Sequence, residues 1–262
     1  MIAGDPEYQS HHVFAELDKC VAFYKRLAHA VFPWASPGTK AFCNIDSYVF
    51  SSIQGTLSSI QMVLQDGRIN DAYALLRKYN DSAIINIYSI LYLEDNFSID
   101  TFIVQQIDNW LKGRARLPRF GLMVKYIRDS TRVATITHCL SSDDRYERLR
   151  DRCNDHMHYN FYRYVLLNDK DIFVSGRVQA LAQFSADLRD IFVLHIAYLF
   201  SAKQNYMMSS DHLDALECGL TPEPDSEYWV APFVQDAFDN IVARHRPDLA
   251  AVIKGHTSMH LA

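Results

Sequence analysis

Cysteine is sparse in this sequence: Cys20, Cys43, Cys139, Cys153 and Cys218 are odd in number, widely scattered and form no Cys-x-x-Cys pair. That pattern indicates neither a disulfide framework nor a zinc knuckle, and reduced thiols fit a cytosolic address. Nine glycines and eight prolines are too few for a β-sandwich that turns every ten residues or so, which leaves long uninterrupted stretches for helices. Also missing are Gly-x-x-x-x-Gly-Lys, Gly-x-Gly-x-x-Gly and Gly-x-Ser-x-Gly, so nucleotide hydrolysis, dinucleotide chemistry and serine hydrolysis lack their usual signatures, and no cofactor is implied. The longest apolar run, Ile191 to Ala202, is interrupted by His195 and bordered by Asp187, Arg189, Asp190 and Lys203. It is too short for a bilayer of ~30 Å and reads as a buried helix, so no membrane contact is expected. The first residues, with Asp5, Glu7, His11 and His12, have neither the basic region nor the apolar core of a secretory signal, and a cytoplasmic location is expected.

What is present is ordinary for a core-forming protein: 262 residues, 49% hydrophobic and 22% charged. The net charge of -5 argues against a chain that coats nucleic acid over its whole surface. Charge is nevertheless uneven. Between Lys112 and Arg132 stand seven basic residues, Lys112, Arg114, Arg116, Arg119, Lys125, Arg128 and Arg132, against the single acid Asp129.

Apolar spacing predicts helices nearly throughout. Phe14, Leu17, Val21, Tyr24 and Leu27 mark a first helix that stops by Pro33, and Ile45, Ile53, Ile60 and Val63 mark a second, with Gly67 as its left-handed cap. Asn70 or Asp71 would cap a third through Ile87 and Leu91, antiparallel to the second because the connecting turn is short. Ser98 is expected to open a shorter helix that closes at Gly113, and Pro118 another carrying Lys125, Arg128 and Arg132 on one face. The β-branched run Val133 to Thr137 suits helix end or strand alike. Beyond a capped helix after Ser142 to Asp144, the stretch Asn168 to Gly176 reads as a connection with two or three extended residues. A long apolar helix follows from about Arg177 to Lys203, then one through Trp229, Phe233, Phe238 and Ile241, and one from Pro247 to Gly255. These elements predict an all-α multi-helix bundle in one domain over 1–262, with core helices at about 44–203 and a C-terminal helical extension at 210–262.

The densest polar stretch is Arg148 to Asn160, which holds Arg150, Arg152, Asn154, His156, His158 and Asn160. An imidazole passes protons near neutral pH, a guanidinium holds a phosphate through two parallel hydrogen bonds, and an asparagine orients either. On a continuous helix Arg150, Asn154 and His158 form one stripe and Arg152, His156 and Asn160 its neighbour. Spacing does not choose between them, nor does it exclude arginines paired with Asp151 and Asp155 beside partly buried histidines. His156 and His158, two apart, would face opposite ways and lack a third ligand, so no metal site is expected. His195, inside an apolar helix, is expected to be a hydrogen-bonded core residue.

In this stretch the sequence resembles HEPN domains, all-helical modules with an Arg-x4-6-His motif near a helix end. Arg152 and His158 match with five residues between them, and Arg150 with His156 gives a second register. The string Asn154 to Asn160 resembles an Asn-x-x-x-His-x-Asn of uncharacterised bacterial HEPN-like proteins. Asp71 to Tyr79 is similar to an Asp-Ala-hydrophobic-Leu-Leu-Arg helix upstream in such proteins, which puts Arg77 near the site, and Pro247-Asp248-Leu249 with Met259 is a third patch. The resemblance implies a HEPN-like bundle and metal-independent endoribonuclease activity of a toxin-like or phage-defence protein. His158 would move the proton of the 2'-hydroxyl, Arg152 would steady the phosphorane, and Asn154 and His156 would assist. Arg77, Arg150 and Asn160 would touch substrate, while Arg114, Arg116, Arg119 and Lys125 would guide RNA by its phosphates. It also implies a homodimer and an antitoxin or nucleotidyltransferase partner. Cys153, where a polar residue often follows the arginine, points to the alternative, a non-catalytic HEPN-like module binding a partner protein or nucleotide. Both Arg152 and His158 are expected to be largely exposed.

Overall fold

Three- and four-residue apolar spacing yields helices along most of the chain in the computed structural model, which describes residues 1–100 and 102–262. In order these are α1 (Pro6–Gln9), α2 (Val13–Val31), α3 (Ile45–Gln65), α4 (Ile69–Asn96), α5 (Gln105–Leu111), α6 (Phe120–Asp129), α7 (Ala134–Leu140), α8 (Arg145–Met157), α9 (Tyr162–Leu166), α10 (Arg177–Ala202), α11 (Asp211–Glu217), α12 (Pro232–Ala237) and α13 (Pro247–His256). The protein is all-α. Among the described residues no strand forms, and extended pairing is confined to bridges between Gly38 and Ile103 and between Met208 and Val230. In α10 every residue from Ile191 to Phe200 is buried, as expected for a helix that is apolar on all sides. Among the described residues no helix is long and apolar enough to cross a membrane.

Several boundaries differ from the periodicity, each for a local reason. Asn70 does not cap α4 but lies inside it, because the free N–H groups at its start find distant acceptors: Ile69 N–H donates to the Leu167 carbonyl at 3.1 Å and Asp71 N–H to Asn168 Oδ1 at 3.2 Å. Helix α5 begins at Gln105 and not at Ser98, since Ile103 bridges to Gly38 and the Val104 N–H donates to the Gly38 carbonyl at 2.8 Å. Thr101, within that expected helix, lies outside the described residues. The β-branched run is helical, passing from a 3-10 turn at Thr131–Val133 into α7. Trp229 precedes α12, which runs on into a π-helical turn at Phe238–Ala243, and Gly255 lies inside α13. The connection before α10 contains no strand; its Lys170 carbonyl accepts from the Ala3 N–H at 3.0 Å and its Val174 N–H donates to the Met1 carbonyl at 3.1 Å.

The chain forms two compact units, each from three separate segments: Met1–Lys25, Phe50–Ala83 and Asp143–Phe192 make the first, and Arg26–Val49, Ile84–Ser142 and Val193–Ala262 the second. The first is centred on an aromatic cluster in which Tyr24 lies 5.9 Å from both Tyr79 and Phe192, with the two tyrosine hydroxyls hydrogen-bonded at 2.8 Å. Burying each such side chain stabilises by about 2 kcal/mol. The second encloses a carboxylate. Asp46 accepts from Asn86 Nδ2 at 2.8 Å and from the Tyr206 hydroxyl at 2.7 Å, while the other end of the Asn86 amide meets His195 Nε2 at 2.9 Å. Burial pushes the Asp46 carboxyl up to about 6 despite these donors, and holds the His195 imidazole down to about 3.

The turn joining α3 to α4 lies in the first unit and depends on one glycine. Arg68 N–H donates to the Val63 carbonyl at 2.9 Å and Gly67 N–H to the Leu64 carbonyl at 2.8 Å, the paired bonds of a Schellman cap with Gly67 at φ +79°. A Cβ on Gly67 would stand 2.3 Å from Cβ of Ala3. Backbone strain and steric overlap therefore add, and Gly67→Ala is expected to lower stability by about 2 kcal/mol. Urea denaturation of the two proteins measures it, and equal midpoints would mean that the turn relaxes freely. The same turn is held from beneath by the fully buried Arg177, which donates to the carbonyls of Gly67 at 3.1 Å, Asp169 at 2.6 Å and Ile172 at 3.1 Å.

Candidate functional site around helix α8

Helix α8 packs through Leu149, Cys153 and His156, an i, i+4, i+7 stripe, and leaves its arginines around the margins. Just ahead of it, Asp143 Oδ1 accepts from the Arg145 N–H at 3.0 Å, while the cap residue Asp144 makes no side-chain cap bond. Its end departs from expectation. The helix stops at Met157, with Asn160 N–H on the Asp155 carbonyl at 3.0 Å and Tyr159 N–H on the His156 carbonyl at 3.3 Å. This is again a Schellman cap, but the left-handed residue, Tyr159 at φ +49°, is a tyrosine where glycine would be unstrained. The two expected stripes therefore break before His158 and Asn160. His158 sits at the exposed cap, and Asn160 folds back so that its Nδ2 donates to Asp155 Oδ1 at 2.7 Å.

Arg152 does not stand free in solvent as expected. Its Nε donates to Asp187 Oδ2 at 2.9 Å and its Nη2 to Asp187 Oδ1, a two-pronged pair with a carboxylate that is fully buried. The Tyr73 hydroxyl at 3.1 Å and Gln183 Nε2 at 3.2 Å also donate to Asp187. These bonds to the carboxylate push the Arg152 guanidinium above its ordinary range. Asn154 accepts from Arg77 Nη1, so Arg77 lies against the motif. Arg77 and Arg150 flank one carboxylate, Asp81, at 3.4 Å and 3.6 Å. Burial raises the Asp81 carboxyl and lowers the Arg150 guanidinium, the latter aided by the nearby Arg77.

His156 is buried, not presented to a substrate. Tyr73 stacks on its ring at 3.9 Å and Tyr164 at 3.8 Å, both close to parallel, and its Nδ1 meets Asn70 Oδ1 at 3.0 Å. Burial, with Arg163 close by, holds this imidazole down to about 4, so it is neutral at pH 7. Cys153 is buried as an apolar residue, and burial pushes its thiol up to about 12. The proposed RNA-guiding residues belong to the second unit. Arg114, Arg116 and Arg119 are exposed and, among the described residues, have no acidic partner, whereas Lys125 pairs with Asp129.

The geometry thus joins Arg152, Asn154 and His156 to partners on α4, α9 and α10, and leaves His158 as the exposed imidazole of the motif. Sequence reasoning missed those partners: Asp187, Asn70, Tyr73 and Tyr164. The signal for Asp187 was its place among Leu181, Phe184, Leu188 and Ile191, where a carboxylate on an apolar stripe demands a buried cation or donor. Comparison with family models, with curated proteins and with solved structures gave no match to this chain.

Proposed function

We propose that this chain is a HEPN-like helical module that holds RNA without cutting it. The observation that carries the reading is the two-pronged engagement of Arg152 by buried Asp187, because a guanidinium spent on a core carboxylate does not meet a developing phosphorane. RNA is favoured as the ligand by Arg114, Arg116 and Arg119, exposed cations with no acidic partner among the described residues. Sequence-independent phosphate contacts of this kind release counterions, so affinity falls steeply with salt.

A second reading, a metal-independent endoribonuclease, is favoured by the exposed ring of His158 at the end of α8. One chain offers one such imidazole, so that reading needs a homodimer. Anisotropy titration of labelled RNA in excess EDTA, with analysis of the RNA afterwards, separates the two. Expected are intact RNA, affinity falling between about 50 and about 200 mM salt, and a loss of roughly 10-fold or more at low salt in the Arg114→Glu, Arg116→Glu, Arg119→Glu variant. Products ending in a 2',3'-cyclic phosphate, absent with His158→Ala, would replace the first reading with the second. Absence of any RNA binding would remove both.

A further inference from the structure

The connection from α8 to α9 carries an unusual set of side chains. Tyr159, Phe161 and Tyr162 are exposed at 47%, 50% and 75%, more than packing requires of three successive rings in so short a span. Tyr159 is held at φ +49°, a conformation that costs a non-glycine residue energy, yet the residue is exposed. The strain is therefore not repaid by burial within this chain.

Behind Phe161 lies a packed support. Tyr73, His156 and Tyr164 form a stacked column with successive centroids 3.9 and 3.8 Å apart. The Arg163 guanidinium lies 4.9 Å from the Tyr164 centroid and 5.3 Å from that of Phe161, and its Nη2 donates to the Tyr164 hydroxyl at 3.0 Å. Phe161 packs edge-on against Tyr164 at 5.6 Å. The exposed end of this arrangement is a fixed ring with a fixed planar cation beside it. From Met157 to Val165 there is no acidic side chain, while His158 and Arg163 are both exposed.

We propose that Tyr159, Phe161 and Tyr162, with Arg163 beside them, form a stacking platform for unpaired bases of single-stranded RNA. The inference rests on the reading that this chain holds RNA. It adds where the bases go and which RNA is taken: the faces of flat rings accept any unstacked base, the Arg163 guanidinium plane suits the adjoining phosphates, and a duplex keeps its base faces covered. An aliphatic protein surface would gain little from a planar ring seated edge-on against Tyr164 with a guanidinium beside it, whereas a nucleobase gains from both.

The test uses the full chain, a single-stranded oligouridine of about a dozen nucleotides and a duplex RNA of equal length, titrated over a range of salt. Tyr159→Leu, Phe161→Leu and Tyr162→Leu together keep the apolar area but remove the π faces; circular dichroism checks that the helices remain. The wild-type protein is expected to prefer the single strand, and the triple variant to lose roughly 30-fold or more in affinity with its salt slope unchanged. The Arg114, Arg116, Arg119 variant should show the converse, a shallower salt slope. Wild-type binding of RNA retained in full by the leucine variant, or equal binding of duplex and single strand, would overturn the platform and leave RNA holding intact. No binding by the wild-type protein would overturn both. Arg163→Gln provides a milder variant, expected to weaken the single strand several-fold, and an unchanged affinity would remove Arg163 from the platform.

Discussion

Arg152→Ala is expected to cost the protein about 3 kcal/mol of stability, more than a surface arginine commonly contributes, because it leaves the fully buried Asp187 carboxylate with, among the described residues, Tyr73 and Gln183 alone as donors. Removing both partners should cost less than removing one. Arg152→Met combined with Asp187→Leu replaces a buried pair by apolar bulk, which is often neutral or stabilising in other buried pairs. Urea denaturation of wild type, both single variants and the double variant measures the coupling directly. Arg152→Ala with unchanged stability would show that the pair seals nothing, and unchanged stability together with lost RNA cleavage would favour the endoribonuclease reading.

Acid should weaken the first unit through His156. Its folded value, about 4, lies below the ordinary histidine value near 6.5, so the unfolded chain binds the proton first as pH falls. The stabilising contribution is therefore complete above about pH 6.5 and is lost progressively toward pH 4, by on the order of 3 kcal/mol for a shift of this size. His195, held down to about 3, acts in the same direction. Asp46 acts oppositely: raised to about 6 from 3.8, it favours the folded state below pH 3.8 and loses that contribution as pH rises through about 6. The His156 share is isolated by His156→Gln. At pH 7 the variant should be the less stable, through lost stacking between Tyr73 and Tyr164. Between pH 6.5 and 4 the gap should narrow by roughly 2–3 kcal/mol, since only the wild type loses the contribution. Parallel stability curves for the two proteins would sink the assignment.

The parts of this molecule written in neighbouring residues were legible in its sequence. Gly67 after the apolar stripe of α3 announces a cap and a hairpin, and the burial of Ile191 to Phe200 in α10 follows from the absence of a polar face in that run. Elements set by distant contacts were not. Asn70 resembled a helix cap until the carbonyl of Leu167 and the side chain of Asn168 took that task, which frees Asn70 to hold His156. The polar residues of α8 were likewise legible as a set, but not as members of a packed network. The partner that decides the role of Arg152 stands 35 residues later, on α10, where the buried neighbours Phe184, Leu188 and Ile191 are apolar. The end of α8 was hidden for a different reason. A tyrosine in a left-handed cap carries no compositional mark, so the helical spacing of polar residues continues past the point where the helix ends.

The division of the chain has a consequence for its synthesis. Each unit takes one segment from the beginning, one from the middle and one from the later part of the sequence, so neither is complete in any short nascent fragment. The first unit lacks its third segment until Phe192 has been added, which is when Asp187 becomes available to Arg152 and the chain behind Gly67 is fastened by Arg177. The second waits for Val193–Ala262. Such sequence-distant closure slows folding and prolongs the exposure of apolar helices such as α3 and α4 to other proteins. A ribosome that stalled before α10 would release a chain with neither core closed, a substrate for chaperones or proteases rather than a smaller working module.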